Sequence, residues 1–274
     1  MLLAMTSTRI VRLAAAAALA LGLAQTAPAG PPEDVLRAEI LPGWKTPEGT
    51  YMAGLKLRLA PGWKTYWRAP GDAGVPPRFD WSGSGNMAGV RVHWPVPRVF
   101  TSNGLRTIGY EREVVLPLEL TPREPGQPVE LRARVELGVC QDICLPMELR
   151  LTGMLPAEGG AEAIRAALDA RPLTAREAKV GAVRCTVEPI RDGLRLTAEI
   201  EVAALGAGET VVFELPDPSI WVSEADMARQ GGRLVAQADL VPASGTPFAL
   251  DRSELRITLL GERRAVDIRG CAGR

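Results

Sequence analysis

The chain has 274 residues, 46% of them hydrophobic, with 32 basic and 32 acidic side chains and a formal net charge of zero. This is ample apolar material for one or two domains, and a charge this balanced leaves no basic excess to neutralise phosphates or hold an anionic surface, which excludes nucleic acid as an expected partner. The single histidine, His93, rules out a two-histidine zinc site and permits a Ser/His/Asp triad only if it is built on that residue.

Arg9 and Arg12 precede an apolar run from Leu13 to Ala24, and Ala27-Pro28-Ala29 follows as a small-x-small cleavage pattern. Residues 1–29 therefore read as a secretory signal peptide. The apolar run is about half of the ~20 residues a membrane helix needs, and no later segment is continuously apolar for that length. After cleavage no membrane span is expected. Export of this type leads to the periplasm, where disulfides persist.

From about Val35 to Leu155 apolar and polar residues alternate, and turn signals such as Pro61-Gly62, Gly71-Asp72 and Asn103-Gly104 punctuate them. Tyr51, Ala53, Leu55, Leu57 and Leu59 share one face, with Met52, Lys56 and Arg58 on the other; Leu131, Ala133, Val135 and Leu137 repeat the pattern against Arg132, Arg134 and Glu136. A period of two over runs this short marks half-buried strands. With 28 Gly and 23 Pro to supply turns, the fold class expected is all-β, a sandwich of antiparallel strands over residues 30–155. Between Glu158 and Lys179, Ala161, Ile164, Ala167 and Leu168 recur at helical spacing until Pro172, so 156–180 reads as a linker with one short helix. Alternation resumes at Leu194, Leu196, Ala198, Ile200 and Val202 and again at Leu255, Ile257 and Leu259. A second sandwich over 181–274 is expected, giving two in tandem.

Four cysteines allow three pairings, and their spacing separates them. Cys140 and Cys144 lie at the end of the 131–137 strand and the start of the next, flanked by Gly138 and Pro146. Opposed positions on antiparallel strands are about 4.5–5.5 Å apart at Cα, a separation that a disulfide bridges without moving the backbone. Cys185 opens the second unit and Cys271 closes it. In the chain-entropy model a ring of that length is worth roughly 4.6 kcal/mol, and the five-residue ring only about 2 kcal/mol. The long bridge reads as structural. The short one is a poor staple at an accessible strand end and reads as a redox pair, with a hairpin clip as the plain alternative.

Pro61-Gly62-Trp63-Lys64-Thr65-Tyr66-Trp67-Arg68, the later Gly109-Tyr110-Glu111-Arg112 leading to Leu116-Pro117, and the cysteine hairpin with Pro146 resemble the amino-terminal periplasmic domain of the thiol:disulfide interchange protein DsbD, in the pattern of the suppressor of copper sensitivity protein B branch. The resemblance covers most of 35–153 and extends to the second unit with its terminal cysteine pair. It implies immunoglobulin-like sandwiches and a pair that takes electrons from a membrane partner of DsbD type and passes them to periplasmic thioredoxin-like or disulfide-isomerase clients. By position Cys144 forms the mixed disulfide and Cys140 resolves it. A loop from Phe100 to Thr107, including Asn103, takes the place of a cap shielding the pair, with Trp63, Tyr66 and Tyr110 at aromatic positions near the site. Three residues separate the cysteines here, against five in the better-known relatives, and the membrane-spanning and thioredoxin-like portions are not in these 274 residues. The electron donor is therefore expected to be a separate protein.

Thiol–disulfide exchange requires a thiolate, a line of approach to a sulfur and a resolving thiol; it calls for no cofactor and no metal. Asp142, between the cysteines, is a like charge that disfavours ionisation, and it is also an ordinary turn residue. No Lys or His lies within the motif. Two other function classes are open at this stage. One is a Cu(I)-binding or copper-delivery module using Cys140 and Cys144 with Met147 or His93, which would fit a role in copper tolerance. The other is a non-catalytic, partner-binding β-domain.

Overall fold

The computed structural model describes residues 35–102 and 104–273; the signal-peptide segment and Asn103 lie outside the described residues. Ten strands build the first unit: β1 (Leu36–Lys45), β2 (Tyr51–Leu59), β3 (Lys64–Tyr66), β4 (Arg78–Asp80), β5 (Met87–Val92), β6 (Arg98–Ser102), β7 (Leu105–Glu111), β8 (Glu113–Pro122), β9 (Val129–Cys140) and β10 (Cys144–Leu155). They form a four-stranded sheet, β1-β2-β8-β5, and a six-stranded one, β10-β9-β3-β7-β6, with β4 also pairing β9. The alternating residues behave as their period dictates. Leu55, Leu118, Leu131 and Val135 are fully buried between the sheets, while Arg132, Arg134 and Glu136 are exposed.

The helix α1 (Ala161–Asp169) follows, then β11 (Leu173–Thr174), β12 (Val183–Ile190), β13 (Gly193–Glu201), β14 (Thr210–Glu214), β15 (Ile220–Val222), β16 (Asp226–Gln230), β17 (Arg233–Pro242), β18 (Arg256–Leu260), β19 (Ala265–Arg269) and β20 (Ala272–Gly273). Again a four-stranded sheet, β11-β19-β18-β14, faces a six-stranded one, β15-β17-β13-β12-β20, to which β16 adds through β17. The described residues are all-β, with two immunoglobulin-like sandwiches in tandem and one helix between them. No helix among the described residues is long and apolar enough to cross a membrane.

In three places tertiary packing departs from what local periodicity suggests. Met52 sits on the polar face of β2 yet is only 4% exposed, because α1 packs Ile164 against Met52 and Val115 there. The helix is thus docked on the outer face of the first sandwich and is no free strap. Within the stretch read as a linker, β11 already pairs parallel with β19 of the second sandwich, Leu173 opposite Val266. The segment 100–107, expected as a loop, is instead the end of a β-hairpin in which Phe100 opposes Thr107 and Ser102 opposes Leu105.

The sandwiches meet through both apolar and charged contacts. Leu260 and Ala265 join the first core. Arg68, stacked 3.8 Å from the Trp67 ring, reaches across to Glu214 with paired bonds of 2.8 and 3.0 Å. Breaking one partner of so buried a pair costs far more than the pair contributes, so it fixes how the units dock rather than how stable they are.

Candidate functional site

The site is the open end of the β9–β10 hairpin. The two strands stay in unbroken antiparallel register from Val129 opposite Leu155 to the last pair, Cys140 opposite Cys144. Gln141, Asp142 and Ile143 make the turn, with the Gln141 amide donating to the Ile143 carbonyl at 3.1 Å. The two Cα atoms are 4.1 Å apart and the sulfurs are bonded. The bonded residues are not equivalent: Cys140 is 2% exposed, whereas Cys144 is open to solvent.

Burial of Cys140 comes from β3. Thr65 Oγ1 donates to the Gly138 carbonyl at 2.9 Å and fastens β3 to β9, which sets Lys64 opposite Cys140. Two residues on, the Tyr66 ring lies over Gly138, where an added Cβ would come within 3.2 Å of the ring and 3.1 Å of the Val75 Cβ. Glycine is what allows the ring to lie there. The Tyr66 hydroxyl donates to Cys140 Sγ at 2.8 Å and stands 3.5 Å from Cys144 Sγ. Burial pushes the Tyr66 phenol above its ordinary value, which keeps its proton available for donation. A hydrogen bond to a disulfide sulfur is weak, but the same geometry offered to a thiolate is charge-assisted and roughly twice as strong as a neutral bond.

Lys64 is the residue that sequence reasoning missed. Its Nζ lies 3.4 Å from Thr107 Oγ1 and 5.3 Å from the centre of the Phe100 ring. A cation thus stands on the strand that pairs with β9 at Cys140, its ammonium directed to Thr107 and Phe100. Phe100 belongs to the site through that contact. The β6–β7 hairpin leaves Cys144 exposed, so it does not shield the pair as a whole.

Of three other expected site residues, Tyr110 and Trp63 pack with the core and Asp142 stays at the turn. Tyr110 faces the core, its hydroxyl donating to the Pro95 carbonyl at 2.8 Å, and burial pushes its phenol well above the ordinary value. Trp63 is half-buried and packs against the first core. Asp142 is exposed at the turn. Of the thioether and imidazole considered for Cu(I), Met147 lines the groove beside Cys144 but is 4% exposed and packs in the first core, and His93 is elsewhere, bonded through Nε2 to Glu119 at 3.0 Å on the opposite sheet.

Beside Cys144 a mainly apolar groove of about 500 Å³ runs between Val75 and Pro76 on one side and Leu145 and Pro146 on the other. Ile143 and Val75, 67% and 50% exposed, flank it. An exposed sulfur next to exposed apolar side chains suits contact with a protein thiol. The second disulfide, Cys185–Cys271, spans 86 positions and has Cα atoms 5.8 Å apart, with Cys185 fully buried.

Comparison with known proteins places this geometry. No curated protein matches the chain. Among solved structures, the N-terminal periplasmic domain of ScsB from Proteus mirabilis is similar over 87% of this chain and 92% of its own, with a TM-score of 0.64 and 24% identity, which shows that the tandem fold is shared. Residues 33–156 match the model of the N-terminal domain of the thiol:disulfide interchange protein DsbD. The hairpin with its cysteine pair lies wholly inside that span, so it is the first sandwich of this chain that is similar to the DsbD N-terminal family.

Proposed function

We propose that the protein is a periplasmic thiol–disulfide exchange module in which Cys144 is the sulfur attacked and Cys140 the one that leaves and resolves. The observation that carries this reading is the asymmetry of the pair: Cys144 is exposed beside an apolar groove, and Cys140 is buried under the Tyr66 hydroxyl. A donor thiolate attacks Cys144 Sγ, a new S–S bond forms to the donor, and the Cys140–Cys144 bond breaks with its electron pair on Cys140. Tyr66 donates to the departing thiolate. A second donor thiolate then attacks the donor's own sulfur in the mixed disulfide and releases Cys144, leaving the donor oxidised and both cysteines reduced. Passing the electrons on reverses the roles: Cys144 attacks a client disulfide, and Cys140 resolves the intermediate. The donor fitting this chemistry is a membrane electron-transfer protein of DsbD type, and the clients are thioredoxin-like or disulfide-isomerase proteins.

Trapping tests the assignment. With Cys140→Ser no resolving thiol remains, so reduced protein mixed with an oxidised thioredoxin-fold protein accumulates a mixed disulfide through Cys144. Cys144→Ser accumulates none. Equal trapping by both variants, or by neither, overturns it.

A further inference from the structure

The two faces of the β6–β7 hairpin have different company. On one face Thr107 and Phe100 hold the ammonium of Lys64, whose backbone pairs with Cys140. Strand alternation turns the next residue, Arg106, to the opposite face. There its guanidinium donates to Thr210 Oγ1 at 3.1 Å and to a carboxylate oxygen of Glu224, both on the second sandwich. The backbone of Arg106 is also a seat. A Cβ added at Gly71 would come within 2.6 Å of the Arg106 carbonyl oxygen, and the same loop continues to Gly74, where an added Cβ would lie 3.0 Å from the Tyr66 ring. Two routes therefore run from Arg106 to β3, the strand that pairs with β9 at Cys140: one through Thr107 to Lys64, the other through the 71–74 loop to Tyr66, which bonds Cys140 Sγ.

We propose that Arg106 is a positioning residue through which the second sandwich holds β3 in place and with it the Tyr66 hydroxyl against Cys140. The proposal rests on the reading of Cys140 and Cys144 as an exchanging pair, and it gives the second sandwich a task in that exchange. The Arg106 and Glu224 side chains are 26% and 36% exposed, so the tie is of the partly screened kind. Its loss should change the population of released hairpin by about fivefold.

The test is alkylation of the selectively reduced protein by iodoacetamide, with Cys140 and Cys144 resolved by peptide mass across a pH series. In Arg106→Ala and Glu224→Gln the high-pH rate of Cys140 rises about fivefold and its midpoint moves to higher pH, while the Cys144 profile stays in place. The charge swap, Arg106→Glu with Glu224→Arg, returns both toward the wild-type values. An unchanged Cys140 profile in a folded variant overturns the proposal, and so does an equal change at both cysteines, which would mean general loosening. If Arg106→Ala fails to fold, Glu224→Gln and Thr210→Val read the same two quantities. No protein partner enters the measurement, so failure of the trapping experiment above leaves this result intact and the two ideas fall separately.

Discussion

Two disulfides of the same chemistry sit in two sandwiches of the same strand plan, and their surroundings differ. Cys185 is fully buried and joined to a residue 86 positions away, next to the place where β20 pairs with β12, the first long strand of the second sandwich. Cys140 and Cys144 are four positions apart at the end of a hairpin that is already closed by backbone pairing along its whole length. A crosslink constrains the unfolded chain in proportion to the ring that it closes, so the first bond removes much freedom and the second removes little. What the short bond has instead is access. The teaching of the pair is that ring size and exposure, more than the bond itself, separate a staple from a reagent.

The largest test of this contrast removes each bond in turn. Cys185→Ala with Cys271→Ala is expected to lower unfolding stability by about 4–5 kcal/mol in urea titration, with the cavity at Cys185 adding to the loss. Cys140→Ser with Cys144→Ser is expected to cost about 2 kcal/mol or less and to leave the fold in place. Equal losses would erase the distinction. Reduction under native conditions sharpens it from the chemical side. A dithiol should release two titratable thiols, those of Cys140 and Cys144, and the other two only on unfolding. Release of all four together would show that the long bond is as reachable as the short one.

Tyr66→Phe asks what the buried half of the short pair owes to its donor. The ring and its seat over Gly138 are kept, and only the hydroxyl 2.8 Å from Cys140 Sγ is removed. A hydrogen bond to a charged acceptor is worth about 1.5–3 kcal/mol, so the Cys140 thiol of the reduced variant should ionise about one pH unit higher, and reductive opening of the bond should slow about tenfold. The ultraviolet absorbance of the thiolate against pH reads the first quantity directly. An unshifted midpoint would mean that the hydroxyl only fills space.

The hairpin and its cysteines were legible because β9 keeps a strict period of two from Val129 to Leu137, long enough for alternation to speak. Lys64 was not, since β3 is three residues long and the pairing that sets Lys64 opposite Cys140 is made with a strand some seventy positions later. The burial of Met52 was hidden for a similar reason: it depends on where α1 docks, and periodicity within β2 carries no record of that. Tyr66 and Tyr110 look alike in sequence, yet one lies over the disulfide and the other in the core. Thr65, and not Tyr66, is the residue paired with Tyr110, which puts the two rings on opposite faces of one sheet. The Asn103-Gly104 turn signal was visible, but local sequence could not say that the strands flanking it extend the sheet, because that follows from the pairing of β7 with β3.

The smallest expected effect concerns the wall between the redox groove and the cleft that separates the sandwiches. Pro76 lines both, and Asp72, a few residues before it, faces the cleft. Burial, and then the nearby charge of Glu224, push the Asp72 carboxyl above its ordinary value, with Arg106 pulling the other way. A carboxyl whose folded value lies above its unfolded one binds its proton more tightly in the native state. Its stabilising contribution is therefore complete below the unfolded value and is lost as pH rises through the folded one. At neutral pH the ionised Asp72 is a small burden on the fold. Asp72→Asn should then melt slightly above wild type at pH 7, and the gap should close as the pH is taken below the usual carboxylate range. Thermal melts of both proteins across that range provide the check. A gap that persists in acid would assign the gain to packing and remove charge from the account of this wall, leaving the difference between the two disulfides to ring size and exposure alone.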